Sequence, residues 1–167
     1  PVDLEKVLAG RIASASPDID SYTHGVSGSS TPKDLETALQ LTYLTFTAPG
    51  LNDEGFELLM RRFGAMLQNQ QQSPRYVFGE KVRELTTSGH YTARGLTPAA
   101  VESLDLEVMR RIHRERYGNA ADFTFFIAGA FTEADLVPMV ERWLASLPST
   151  GPRRTAYQDM KLTFPPE

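Results

Sequence analysis

Residues 122–148 read DFTFFIAGAFTEADLVPMVERWLASLP. Phe123 to Ala128 is short, aromatic and uncharged, which is the pattern of a buried strand. A bend of small residues follows at Gly129. Thr132 then supplies an N-cap, and Asp135 sits three residues on in an approximate capping box. Leu136, Met139, Val140 and Trp143 or Leu144 recur at helical spacing and are expected to face a core. Pro148 stops the helix. A strand, a tight bend and a capped helix could make a phosphate cradle, a catalytic turn or scaffold. The stretch has Gly129 alone, without G-x-G-x-x-G or a Walker lysine. Small residues that let the chain turn from strand to helix account for it better.

The segments on the N-terminal side set the class. RIASASPDID (11–20) and SYTHGVSGSS (21–30) read as two β segments joined near Pro17-Asp18. In TPKDLETALQLTYLTFTAPG (31–50), Thr31 is placed to cap, Pro32 suits the first helical position and Asp34 favours the helix dipole. Pro49-Gly50 ends that helix. A second helix opens at Asn52, with Phe56, Leu59, Met60, Phe63 and Leu67 on one face. Gly64 weakens it by about 1 kcal/mol relative to Ala, which points to close packing there. Ser73-Pro74 and Thr97-Pro98 repeat the cap-then-proline signal for a third and a short fourth helix. GHYTARG (89–95) is a loop between them. LDLEVMRRIHRERYG (104–118) is a fifth helix, ending at Gly118. YQDMKLTF (157–164) reads as a last edge strand. The strand at 123–128 is expected inside an antiparallel sheet with those at roughly 11–15 and 21–28, covered by the helices starting near Thr31 and Thr132. The class is α+β: a small, mostly antiparallel sheet with helices packed on one face.

Composition narrows the function. The 167 residues are 41% hydrophobic, enough for a core, and carry a net charge of -4. The basic residues cluster only in pairs, Arg61-Arg62 and Arg153-Arg154, so no nucleic-acid partner is expected. No apolar run approaches the roughly 18 residues of a membrane span. The chain has no cysteine, so disulfides and thiolate zinc sites are excluded. It opens at Pro1 without Met and reads as cut from something longer.

Candidate chemistry is sparse. His24, His90 and His113 stand in neither H-E-x-x-H nor H-x-x-E-H. HRERY (113–117) places Tyr117 where a second ligand would sit. His90, in a glycine-flanked loop, occupies the better place for function but has no partner in sequence. SGSS (27–30) is no nucleophile elbow. Glu107 and Glu115 lie among arginines and read as a solvated face. No catalytic, cofactor-binding or metal-ligating residue is assigned.

The order of segments adds more. VSGSSTPKDLETALQLTYLTFTAPGLNDEGFE (26–57) and the run from SGHYTARG to WLASLPS (88–149) resemble the pitrilysin/insulinase family of zinc metallopeptidases, the inverzincins. The matching features are the loop around His90, the YGNAADF approach (117–123) to a strand, the Gly129 turn and the helix closing on SLP. The resemblance covers roughly residues 4 to 150. It implies that 122–148 is scaffold, a sheet strand and its covering helix. It further implies that residues 1–167 are a single domain fragment, the latter part of a non-catalytic domain of a large bacterial member. In a zinc-bearing domain the third ligand, a glutamate, would fall near Leu67, and a leucine cannot bind zinc. Glu54 and Glu57 lie about three turns too early. Zinc is therefore expected in the parent's catalytic domain and not in this fragment. The implied partners are the other domains of the same chain and a peptide substrate. The implied compartment is the bacterial periplasm. A catalytically dead family member, acting as a peptide-binding or assembly protein, is the alternative. Finally, the N-terminal β segments carry only Arg11 and His24 as guards, with Pro17 between. An open sheet edge is expected there, where the chain self-associates or DMKLTF (159–164) folds back to pair.

Overall fold

The structure is a computed structural model, which describes residues 2–20, 22–156 and 159–165. They fall into two compact units. The first comprises Pro1–Leu51 and Arg110–Thr155, the second Asn52–Met109 and Ala156–Glu167.

The first unit begins with a short helix α1 (Val2–Val7), which the sequence reading did not anticipate. Strands β1 (Ala13–Ile19) and β2 (His24–Ser30) follow and pair antiparallel, from Ala13 opposite Ser30 to Ile19 opposite His24. The turn closes where the Asp20 N–H donates to the Thr23 carbonyl at 2.8 Å, not at Pro17-Asp18. Pro17 instead lies inside β1. Bonds at Asp20–Thr23 and at Thr31–Ile12 fix the alternation, so Pro17 falls at a position whose backbone faces the outer edge. A missing N–H is tolerated there, because no ladder needs it.

Helix α2 (Leu35–Thr47) packs across both strands. Its start differs from expectation. Pro32–Asp34 form a 3-10 turn, and the Thr31 hydroxyl caps no backbone N–H. That hydroxyl donates to the Asp34 carboxylate at 2.7 Å, and the same oxygen accepts the Ile12 N–H at 3.0 Å. Asp34, nearly buried, thus ties the entry of β1 to the entry of α2. The Ile12 N–H first, and then the Thr31 hydroxyl, hold its carboxyl below the ordinary carboxylate range. Helix α7 (Glu133–Trp143) lies against α2. Thr132 caps it as expected: its Oγ1 accepts the Asp135 N–H at 3.2 Å and donates to the Asp135 carboxylate at 2.6 Å. Leu39, Phe46, Tyr117, Leu144 and Leu147 form the core, with Val26, Phe123, Ile127, Met139 and Val140 packed on it.

The segment 123–128, expected as an interior strand, is not a strand of this sheet. Phe123 and Ile127 pack on the core, while Phe125 is 38% and Phe126 90% exposed. Pairing requires a neighbour within bonding reach, and neither β1 nor β2 provides one.

The second unit is helical. Helix α3 (Asp53–Gln71) is capped by Asn52, whose side chain accepts the Gly55 N–H at 2.8 Å. Helix α4 (Pro74–Thr86) follows without a side-chain cap from Ser73, and α5 (Pro98–Glu102) is capped by Thr97. Leu67, Val101 and Leu106 are its buried apolar residues. The unit boundary falls within α6 (Leu106–Tyr117). Gly64 is not a close-packing point, since a Cβ there would meet nothing within 4 Å. Of the expected last strand, Tyr157 and Gln158 lie outside the described residues, and 159–165 joins no sheet. The α+β class stands: a two-stranded antiparallel sheet with helices on one face.

Candidate functional site

The first unit carries a groove of about 620 Å³. One lip is β2 and the other is 122–128. Leu35, Ala38, Leu39 and Thr42 of α2 also line it. Its position follows from local sequence. Small residues in β2 leave the strand thin, and the YGNAADF approach carries the chain from α6 to the opposite lip.

Tyr117 organises one end. It is 1% exposed, and its hydroxyl lies 2.8 Å from the Asp18 carbonyl and 2.9 Å from that of Gly25, either of which accepts its proton. Its ring stacks on His113 and Phe123 and meets Phe46 and His24 edge-on. Burial and the nearby Asp18 charge push its hydroxyl pKa up, so it stays a donor at neutral pH. Gly118 is required just after it, because a Cβ there would run into the Arg114 carbonyl oxygen.

A polar clasp closes the unit. Asp122 accepts the Arg154 backbone N–H at 2.6 Å and its Nε at 2.7 Å. Burial raises the Asp122 pKa, but the Arg154 N–H and guanidinium and the Asn119 side chain outweigh it, leaving the carboxyl below its usual range. Asn119, buried, donates to the Pro152 carbonyl and accepts from the Thr150 N–H and the Ser149 hydroxyl. Sequence reading missed this clasp. Its partners lie about thirty residues apart, and no spacing rule links them.

The histidines are dispersed. His24 and His113 both rest on Tyr117, and the His113 Nε2–H donates to the Thr45 carbonyl at 2.7 Å. Burial first, and then the Arg116 guanidinium, lower the His24 pKa. His90, in the second unit, caps the short turn Tyr91–Ala93. Its Nε2–H donates to the Met160 carbonyl at 2.8 Å, while Nδ1 accepts from Thr92. His90 therefore has a partner after all, and the bond is structural. Glu115 pairs with Arg111 on an exposed face. Leu67 is 1% exposed and apolar, and Glu54 and Glu57 are exposed. Among the described residues no three His, Cys, Asp or Glu side chains are grouped to hold a metal. The described donors are thus not gathered as the three or four N, S or O ligands that zinc takes. No helix among the described residues is long and apolar enough to cross a membrane.

No family model matches the chain. A curated relative, the zinc protease PQQL-like protein of Arabidopsis thaliana, is 25% identical over 116 residues, 69% of this chain and 12% of the relative. The fold also matches the ferredoxin protease FusC, solved as a mutant in complex with Arabidopsis ferredoxin. That match has a TM-score of 0.71 and 18% identity, and covers 94% of this chain and 17% of FusC. The chain is pitrilysin/insulinase-like. This pitrilysin-like chain thus spans less than a fifth of either relative's length. The likeness to FusC establishes the fold over nearly the whole chain.

Proposed function

We propose that this chain is a non-catalytic domain of a zinc metalloendopeptidase. On this reading, residues 1–167 are a single domain fragment, the latter part of a domain that walls the chamber in which peptide is held. A separate zinc-bearing domain of the same polypeptide hydrolyses it. The observation that carries the reading is Leu67. The position expected to bear a ligand glutamate holds an apolar side chain, sealed inside the second unit. Support for the peptidase context comes from the two protease relatives. The partners on this reading are the remaining domains of the same polypeptide and a peptide substrate. A bacterial periplasmic setting goes with this reading and is compatible with the absence of cysteine.

The test compares the 167-residue chain with the full-length gene product. After dialysis against micromolar zinc, the chain is expected to retain far less than one zinc and to leave a generic peptide pool intact. The full-length protein is expected to cleave that pool and to stop when chelator is added. One tightly held zinc per 167-residue chain would overturn the non-catalytic assignment. A full-length protein that binds peptide without chelator-sensitive cleavage would favour the binding or assembly alternative.

A further inference from the structure

The outer edge of β1 is the side of the hairpin turned away from β2. The bonds at Asp20–Thr23 and Thr31–Ile12 fix which pairs of the ladder are bonded, so the backbone groups of Ser14, Ser16 and Asp18 face β2. Those of Ala13, Ala15 and Ile19 then face away, and Pro17 offers its carbonyl alone. None of the Ala13, Ala15 and Ile19 N–H groups donates to another described residue. Few of the usual guards of an edge are present. Ala13, Ser14, Ala15 and Ser16 have short side chains, no lysine lies on the strand, and Arg11 and Asp18 stand at its ends. The segment 159–164, expected either to pair here or to leave the edge open, joins no sheet. It belongs to the second unit and is held to His90 through the Met160 carbonyl.

We infer that the outer edge of β1 pairs antiparallel with the same edge of a second copy of this chain, with Ala15 opposite Ala15 at the two-fold axis. Charge selects the direction. Arg11 lies at one end of β1, and Asp18 and Asp20 at the other. Antiparallel pairing lays each basic end beside the acidic end of the second copy, whereas parallel pairing sets like charges together. The positions of the free N–H groups select the register. Centred on Ala15, it puts Ala13 opposite Pro17 and Arg11 opposite Ile19 of the second copy. The Ala15 residues exchange N–H···O=C bonds across the axis. The Ala13 N–H donates to the Pro17 carbonyl of the second copy, so the missing proline N–H weakens the edge without closing it. Ile19, 56% exposed, gains the aliphatic stem of Arg11 as cover. Short side chains on a short strand bury little, so the contact falls below the roughly 1,200–2,000 Å² of a standard interface and gives a weak dimer that depends on concentration. This inference does not rest on the peptidase reading, because the edge is the same in a binding or assembly protein.

Analytical ultracentrifugation of the full-length gene product tests it, from low micromolar to near-millimolar concentration. A monomer–dimer equilibrium is expected. Ala15→Pro should weaken it by about 10-fold or more, since both bonds at the axis lose their donor. The Ala15 N–H faces outward, as the Pro17 position does, so the β1–β2 ladder survives the substitution, and an unchanged circular dichroism spectrum checks this. Amide exchange of the unsubstituted protein gives a second reading and decides alone if the variant does not fold. The Ala15 amide should exchange freely at low concentration and slow as the dimer fills, while the Ser16 amide is protected throughout by β2. A protein that stays monomeric across this range overturns the inference, and so does a dimer that Ala15→Pro leaves equally strong. An Ala15 amide already protected at the lowest concentration overturns it too, because the edge is then filled from within one polypeptide.

Discussion

Tyr117 and His24 show how single side chains set the first unit's stability. The Tyr117 hydroxyl donates to one of two strand carbonyls from a nearly sealed site. Tyr117→Phe removes that donor and leaves the ring. It should cost about 1–2 kcal/mol, read as a lower urea midpoint with an unchanged slope. Tyr117→Ala should cost about 3–5 kcal/mol, because a cavity is added to the loss. His24 predicts a pH dependence. Its folded pKa lies below the ordinary 6.5, so the unfolded chain takes up the proton first. Its neutral form is free of penalty above 6.5, and stability falls as pH drops from 6.5 toward the folded value. His24→Gln should flatten the stability profile in that window. A profile equally steep in wild type and variant would remove His24 as the cause. At lower pH, Asp34 and Asp122 act in the usual carboxylate sense. Their contribution is present above about 3.8 and lost as pH falls through their depressed folded values.

At the scale of elements, capping signals were legible where the side chain was free to act. Asn52, Thr97 and Thr132 each accept a backbone N–H from the first turn. Thr31 and Ser73 carry the same signal and cap nothing. For Thr31 the reason is visible, since its hydroxyl is committed to Asp34, an interaction that depends on β1 arriving alongside. Glycines divide the same way. Gly118 ends α6 because a Cβ has no room, whereas Gly64 sits in α3 with space around it. Gly64→Ala should therefore stabilise by up to about 1 kcal/mol, and Gly118→Ala should destabilise. Thermal melts of the two variants check both signs. The segment 123–128 shows where reading by pattern stops. Its short, aromatic, uncharged run was visible in FTFFIA, but whether a neighbour lay within pairing reach was not.

At the scale of the molecule, the fold class and the order of helices from α2 onward could be read from the sequence, and the division into two units could not. The boundary passes through α6, whose charged and apolar residues run unbroken from Leu106 to Tyr117. The site was less legible than the fold. His24 is far in the chain from Tyr117 and Phe123 and meets them only because β2 and the α6 exit share one core. His90 looked functional from its loop and proved to be a tie to Met160, a contact made by a residue seventy positions later.

The chain has one tryptophan, Trp143, and it belongs to the first unit. Its indole N–H donates to Glu36 at 3.1 Å, and its ring meets Tyr43 edge-on at 5.7 Å, so its surroundings are set by the α2–α7 contact. Fluorescence excited at the red edge of protein absorption therefore samples that contact. Glu36→Ala should shift the native emission maximum, because the indole loses its acceptor. Leu67→Ala, in the second unit, should leave the maximum where it is, even though it costs about 2–5 kcal/mol. Damage to either unit can then be told apart with a fluorimeter, with no label attached to the protein.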